Sequence, residues 1–337
     1  MSNKFSHGYA LLIGIGESAS YSNWSLPVTV KDIQELQSIL IDPSFCAYLN
    51  DDVHMRLLSN AGATRGAILD GLTWLKKQAA TDSEATVIVY YSGHGWLDES
   101  TGQYYLIPYD IEPFDIANSA LSAQIFTEAL REIQAHRLLV IIDSCRAEGM
   151  ATAKNEQATT KLPSSFVQTA FPKKLIDELK QGEGRAVFTS SRGTQSSWIR
   201  SDRAMSIYTY HLIEALRGAG SQPGETVVRI SHIMNHVGKT VPQSAHSMKV
   251  EQTPFFDFAT EDFAVALLRG GKGLPKDGWD AVEAEAAETI SPMIPARDTV
   301  SSSGNHEVHQ LGSDNINIGN IGQARDITLG SKTQSKD

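Results

Sequence analysis

Leu138-Leu-Val-Ile-Ile-Asp-Ser-Cys-Arg-Ala-Glu148 begins as five bulky apolar residues in a row, β-branched towards the end, and stops at a carboxylate. A run of that kind reads as a strand buried on both faces of a parallel sheet. Cys145 comes two residues after Asp143, just past the end of the strand. Open α/β sheets gather their active sites outside the carboxyl ends of the strands, so the thiol stands where chemistry is expected.

The pattern repeats on both sides of this stretch. Upstream, Tyr9–Ile15 and Thr86–Tyr91 read as buried strands and Val53–Leu58 as an alternating one. Between them, helical spacing runs over Val30–Leu40 and over the Ile68, Leu72, Leu75 segment that Thr64 caps. Gly102–Asp110 suggests a short extended piece, and Ser122 caps a helix over Ala123–Ile133. Downstream, 148–174 is polar and aperiodic and reads as a long exposed loop. Structure resumes with a strand over Arg185–Ser191, helices over Ser206–Leu216 and Ile230–Thr240, and closing segments at Thr253–Phe258 and Asp262–Leu268. Strands alternating with helices predict an α/β fold around a mostly parallel sheet.

Composition narrows the classes. The chain has 337 residues, 41% hydrophobic and 20% charged, which is ordinary globular usage. A net charge of −10 repels a phosphate backbone, so no nucleic-acid partner is expected. Two cysteines cannot build a disulfide framework, no signal peptide precedes the first strand, and no apolar run is long enough to span a bilayer. The expectation is a cytoplasmic protein without membrane contact, in a reducing compartment where a thiol stays available.

His94 lies 51 residues before Cys145, inside Ser92-Gly-His-Gly95 and just beyond the Thr86 strand. If the two strands are neighbours, imidazole and thiol meet at one edge of the sheet, where the imidazole takes the thiol proton or lowers its pKa. The amides of Gly95 and Cys145 then form an oxyanion hole. The plainer readings, a structural histidine and a buried thiol in an α/β signalling or hydrolase domain, lose ground because both residues sit on strand ends with glycine flanks. No phosphate loop, zinc-ligand spacing or serine elbow points elsewhere.

Tyr91-Ser-Gly-His-Gly95 followed by Asp143-Ser-Cys-Arg-Ala-Glu-Gly149 resembles the catalytic pair of the caspase-like cysteine peptidases, family C14 of clan CD. The Asp-Ser-Cys form is most similar to metacaspases and their prokaryotic relatives. Tyr9-Ala-Leu-Leu-Ile-Gly-Ile15, Tyr105-Leu-Ile-Pro-Tyr-Asp110, Phe188-Thr-Ser-Ser191, Tyr208–Gly218 and Gln252-Thr-Pro-Phe255 add weaker similarity across most of 9–268. The resemblance implies a three-layer α/β/α sandwich. It divides the peptidase domain, 1–269, into a large-subunit-like region (1–147), a processing-type loop (148–174) and a small-subunit-like region (175–269). A linker over 270–304 and a flexible tail over 305–337 follow.

It also implies a thioacyl-enzyme formed at Cys145 with His94 as base, acting on protein substrates. Asp32, Ser92 and Asp143 match the positions of the pocket for the residue before the scissile bond. Carboxylates there favour Arg or Lys; the competing reading of Asp32 is a first-turn carboxylate on a helix dipole. Lys154, Lys161, Lys173 and Lys174 are then candidate self-cleavage sites. Many metacaspases bind calcium, but Asp110, Glu112 and Asp115 lack the expected paired Asp, so no cofactor and no metal are expected. His7, His54, His136, His232, His236 and His246 form no ligand pattern.

In the tail, Asp314-Asn-Ile-Asn-Ile-Gly319 is echoed by Arg325-Asp-Ile-Thr-Leu-Gly330. Two short alternating units cannot bury a core alone, but stacked between chains they can form a cross-β ladder. The segment 314–330 resembles the amyloid signalling motifs that couple cell-death effectors to sensor partners of the NLR type, or drive self-assembly. The expected role is an effector of regulated cell death or phage defence. The alternatives are a disordered polar tail, a clan member with another specificity, and a catalytically silent adaptor that signals by assembly.

Overall fold

The computed structural model describes residues 4–112, 114–144, 165–258 and 261–269. From the amino end come β1 (Gly8–Gly14), α1 (Val28–Ile41), β2 (Met55–Ser59), α2 (Arg65–Thr81), β3 (Thr86–Gly93), β4 (Gly95–Asp98) and β5 (Gln103–Leu106). Then follow α3 (Ile116–Ser119), β6 (Leu121–Ser122), α4 (Ala123–Arg131), β7 (Arg137–Ser144), β8 (Phe166–Gln168), α5 (Lys173–Leu179) and β9 (Arg185–Thr189). The described chain closes with α6 (Ile207–Leu216), β10 (Val227–Arg229), α7 (Ile230–Ser247), β11 (Phe255–Phe258) and β12 (Ala264–Leu267).

The main sheet is six-stranded in the order β11-β9-β7-β3-β1-β2. All its pairings are parallel except β11 against β9. The period of two sorts its side chains into two cores. Ala10, Leu12, Ile88, Tyr90, Leu139 and Ile141 pack against α1, α6 and α7. Tyr9, Leu11, Ile13, Val87, Val89 and Val140 pack against α2, α4 and α5. This is the three-layer sandwich expected, and it explains why the strands read as continuous apolar runs: both faces are covered.

Several local expectations change. Thr64 does cap α2, its Oγ1 accepting from Ala67 N at 3.1 Å, whereas the Ser122 side chain makes no cap bond to α4. The end of the expected loop 148–174 is structured: β8 joins a small sheet of order β6-β5-β4-β8, Ala170 and Phe171 are buried, and Lys173 opens α5. Helix α7 continues past Pro242 to Ser247. A helix-interior proline costs about 3 kcal/mol, but Val237 and Val241 before Pro242 and Ala245 after it are fully buried. Burial of each valine side chain contributes about 1.5–3 kcal/mol, so packing wins. Strand β10, which pairs antiparallel with β12, is too short to show a period in the sequence.

Candidate active site

The parallel register brings the ends of three adjacent strands level. Gly14 stands opposite Ser92, Ser92 opposite Asp143, and Gly93 opposite Ser144. His94 follows directly on Gly93. Cys145, bonded to Ser144, lies outside the described residues, as do Lys154, Lys161 and the segment 270–337 with its 314–330 repeat.

His94 is 4% exposed, and its Nε2 lies 2.8 Å from the carbonyl oxygen of Trp24. A carbonyl only accepts, so the neutral ring carries its proton on Nε2 and Nδ1 is the basic nitrogen. The Trp24 carbonyl ends a short 3-10 turn, Ser22–Trp24. Its indole is held by stacking on Tyr21 at 5.0 Å and by an edge contact with Trp96 at 4.7 Å. The His94 backbone is pinned as well: its carbonyl accepts from Tyr91 Oη at 2.7 Å and from Ile107 N at 3.1 Å. From sequence, 21–27 reads only as loop. Trp24 acts through a backbone carbonyl, which no side-chain pattern announces. Gly95 starts β4 where a Cβ would run into the Tyr104 hydroxyl and come within 3.1 Å of Ser144 Cβ.

Asp32, Ser92 and Asp143 are brought together, all three fully buried. Ser92 Oγ donates to Asp32 Oδ2 at 3.2 Å, and Ser206 N donates to Asp32 Oδ1 at 2.9 Å. The hydroxyl of the same Ser206 donates to Asp143 Oδ2 at 2.6 Å, and Ser197 Oγ donates to Asp143 Oδ1 at 2.6 Å. Gln252 Nε2 supports Ser197 at 3.1 Å and bonds Ser190 O at 3.0 Å. Ser206, which also caps α6 by accepting from Thr209 N, thus joins the two carboxylates. Asp32 does not lie in the first turn of α1, which holds no acidic residue, so the helix-dipole reading fails. Burial, and then the charge of Asp143, push the Asp32 carboxyl well above the ordinary carboxylate range.

Ser197, Ser206 and Gln252 are site residues that sequence reading does not find. Serines after a strand and a glutamine before a proline read as loop chemistry until the chain folds them over the strand ends. A cavity of about 800 Å³ opens along the same edge, with Thr189, Ser191, Arg192, Phe171 and Phe255 in its wall.

The candidate calcium ligands do not converge. Asp110 Oδ1 accepts from Arg65 N at the start of α2, Asp115 Oδ1 accepts from Asn118 Nδ2, and no carboxylate cluster forms there among the described residues. A different group does form. His211 Nδ1 lies 2.6 Å from Glu214 Oε2, and His236 Nε2 lies 2.8 Å from the same oxygen. Burial alone would raise the Glu214 pKa, but the hydrogen bonds from His211 and His236 outweigh it and bring the carboxyl to about 2. The His-x-x-Glu spacing is legible in the sequence; its partner His236, on another helix, is not.

The caspase domain model of peptidase family C14 matches residues 7–264. Among solved structures, the crystal structure of caspase-1 from Spodoptera frugiperda is 17% identical, with a TM-score of 0.48 over 80% of this chain and 92% of that one. A structure of pro-sf-caspase-1 is 14% identical, with a TM-score of 0.44 over 76% and 92%. No curated protein matches the chain.

Proposed function

The chain belongs to the caspase-domain family of C14 peptidases, and from that membership we propose that it is a cysteine endopeptidase cutting proteins after Arg or Lys. His94 Nδ1 takes the thiol proton of Cys145, the thiolate attacks the scissile carbonyl, and the same nitrogen returns the proton to the leaving amine. Water then hydrolyses the thioester. The amides of Gly95 and Cys145 hold the oxyanion. The orientation of His94 by the Trp24 carbonyl supports this assignment, since it leaves the basic nitrogen as Nδ1.

The observation that carries the specificity is the buried pair Asp32 and Asp143, joined through Ser206 beside the His94 strand end. A cationic side chain entering there compensates the burial and the charge of Asp143 that together raise the Asp32 pKa, whereas an acidic one adds further negative charge. Hydrolysis of fluorogenic peptides with Arg, Lys, Asp and Leu before the scissile bond tests it. Arg and Lys peptides are expected to be cut, with and without a calcium chelator, and Cys145→Ala to be inert. Faster cutting after Asp would overturn the specificity, and a strict calcium requirement the calcium-independent reading.

The proposal extends to regulation. The repeated 314–330 segment supports recruitment of a sensor partner or a second copy, which gathers protease domains in the cytoplasm as an effector of cell death or defence. Deleting 305–337 is expected to leave peptide hydrolysis unchanged and abolish co-sedimentation into thioflavin-positive assemblies; assemblies that persist after the deletion would refute it. Self-processing falls to Lys154 or Lys161. Lys173 and Lys174 begin a helix, with Lys173 paired to Asp177 at 3.0 Å, and that turn has to open before a protease can cut it.

A further inference from the structure

We propose that His211, Glu214 and His236 form a binding site for one divalent transition-metal ion, Zn2+ foremost, that staples α6 to α7. His211 and Glu214 sit one turn apart on α6, and His236 reaches them from α7. Their ligand atoms all lie within 4.8 Å of one another. Around a tetrahedral ion with bonds of about 2.0–2.1 Å, ligand atoms stand roughly 3.3 Å apart. The contacts of 2.6 and 2.8 Å to Glu214 Oε2 therefore open by only about 0.5–0.7 Å as the ion replaces the bridging protons. Each imidazole binds the ion as a neutral ligand through the nitrogen that faces Glu214, with its one ring proton on the other nitrogen.

The surroundings fit a bound ion rather than a chance cluster. His211 Nε2 lies 2.7 Å from Ser244 Oγ. A metal-bound histidine characteristically donates its second ring N–H to such an acceptor, and a serine hydroxyl serves in either protonation state of that nitrogen. His211 is 7% exposed, so the ligands are held by packing. Two imidazoles and one carboxylate suit Zn2+, Co2+ or Ni2+; Ca2+ and Mg2+ demand more oxygen. Glu214 borders a cavity of about 240 Å³, which admits a water as fourth ligand. Lys31, Arg217 and Glu35 line the same cavity, so its charges offset one another and the ion is held by direct ligation.

The site lies apart from the proposed catalytic residues but on the helix that Ser206 caps, the serine that joins Asp32 to Asp143. The test uses the full chain carrying Cys145→Ala, so that the strand-end thiol is not counted as a ligand, stripped by chelator and titrated with Zn2+ by calorimetry. One equivalent is expected to bind with a Kd of about micromolar or tighter and to raise the melting temperature by several degrees. Co2+ is expected to give the visible bands of a low-coordinate complex. His236→Gln is expected to weaken Zn2+ binding at least about a hundredfold, and His246→Gln, on the same helix but exposed, to leave it unchanged. Should His236→Gln fail to fold, Glu214→Gln, which keeps an acceptor for both imidazoles, is expected to show the same loss. Absence of stoichiometric binding, or equal binding by the ligand variants and the parent, would overturn the site.

Discussion

Asp143→Asn is expected to lower kcat/KM for a peptide with Arg before the scissile bond several-hundredfold. Truncating one partner of a buried, hydrogen-bonded charge pair costs about 2–5 kcal/mol, which spans that factor. Alkylation of Cys145 by a neutral reagent is expected to stay within about threefold of wild type, because that reaction does not read the pocket charge. The amide keeps an oxygen for Ser197, and the Ser206 hydroxyl turns to accept from the new Nδ2, so the fold tolerates the change. A loss of alkylation equal to the loss of peptide hydrolysis would show that Asp143 holds the strand end rather than the substrate. Asp32→Asn provides the stability half of the same argument. The Asp32 pKa is raised in the fold, first by burial and then by Asp143. Its protonation therefore favours the native state fully below the ordinary carboxylate range, and that contribution is lost as pH rises towards the raised value. The variant, which lacks the group, is expected to melt higher than wild type at pH 8, by about 1–3 kcal/mol of stability, while cutting Arg peptides far more slowly. The gap is expected to close on acidification to about pH 4. A variant less stable than wild type at pH 8 would mean that the charge of Asp32 helps the fold.

The contrast explains which regions of the molecule could be read in advance. Strands β1, β3 and β7 were legible because a sheet covered on both faces leaves an unbroken apolar run, and the residues at their ends followed from that alone. Asp32, Ser92 and Asp143 came from matching positions to a family pattern, and the register then puts two of them opposite each other. Trp24, Ser206 and Gln252 stayed hidden for different reasons. Trp24 contributes a carbonyl, Ser206 is a cap whose second partner is 63 residues away, and Gln252 works by bracing Ser197. Each depends on long-range closure, which a single sequence does not encode as a local period. The short strands β8 and β10 were lost similarly: three residues are too few to show alternation, and their partners are distant.

Gly95→Ala is expected to abolish most activity, lowering kcat by about a hundredfold or more. A Cβ at that position overlaps the Tyr104 hydroxyl, with Tyr104 Cζ at 2.7 Å behind it. Tyr104 cannot give way: it is buried, donates to Thr169 O at 2.9 Å, and meets Phe171 edge to face at 5.5 Å. The strain therefore falls on β4, and through it on the His94–Gly95 peptide that places both the proposed base and the proposed oxyanion donor. A displacement of about 1 Å at a reacting group is enough for a hundredfold loss, and overpacking of this kind costs about 1–3 kcal/mol of stability. Tyr104→Phe added to Gly95→Ala removes the atom of deepest overlap and leaves the Cζ contact. The double variant is thus expected to recover some of the stability and some of the rate, a coupling that independent sites do not show. Melting temperature and single-turnover acylation measured across the four proteins of the cycle decide it. Gly95→Ala with kcat within about threefold of wild type would mean that β4 yields without moving His94, and that the glycine is there for packing alone.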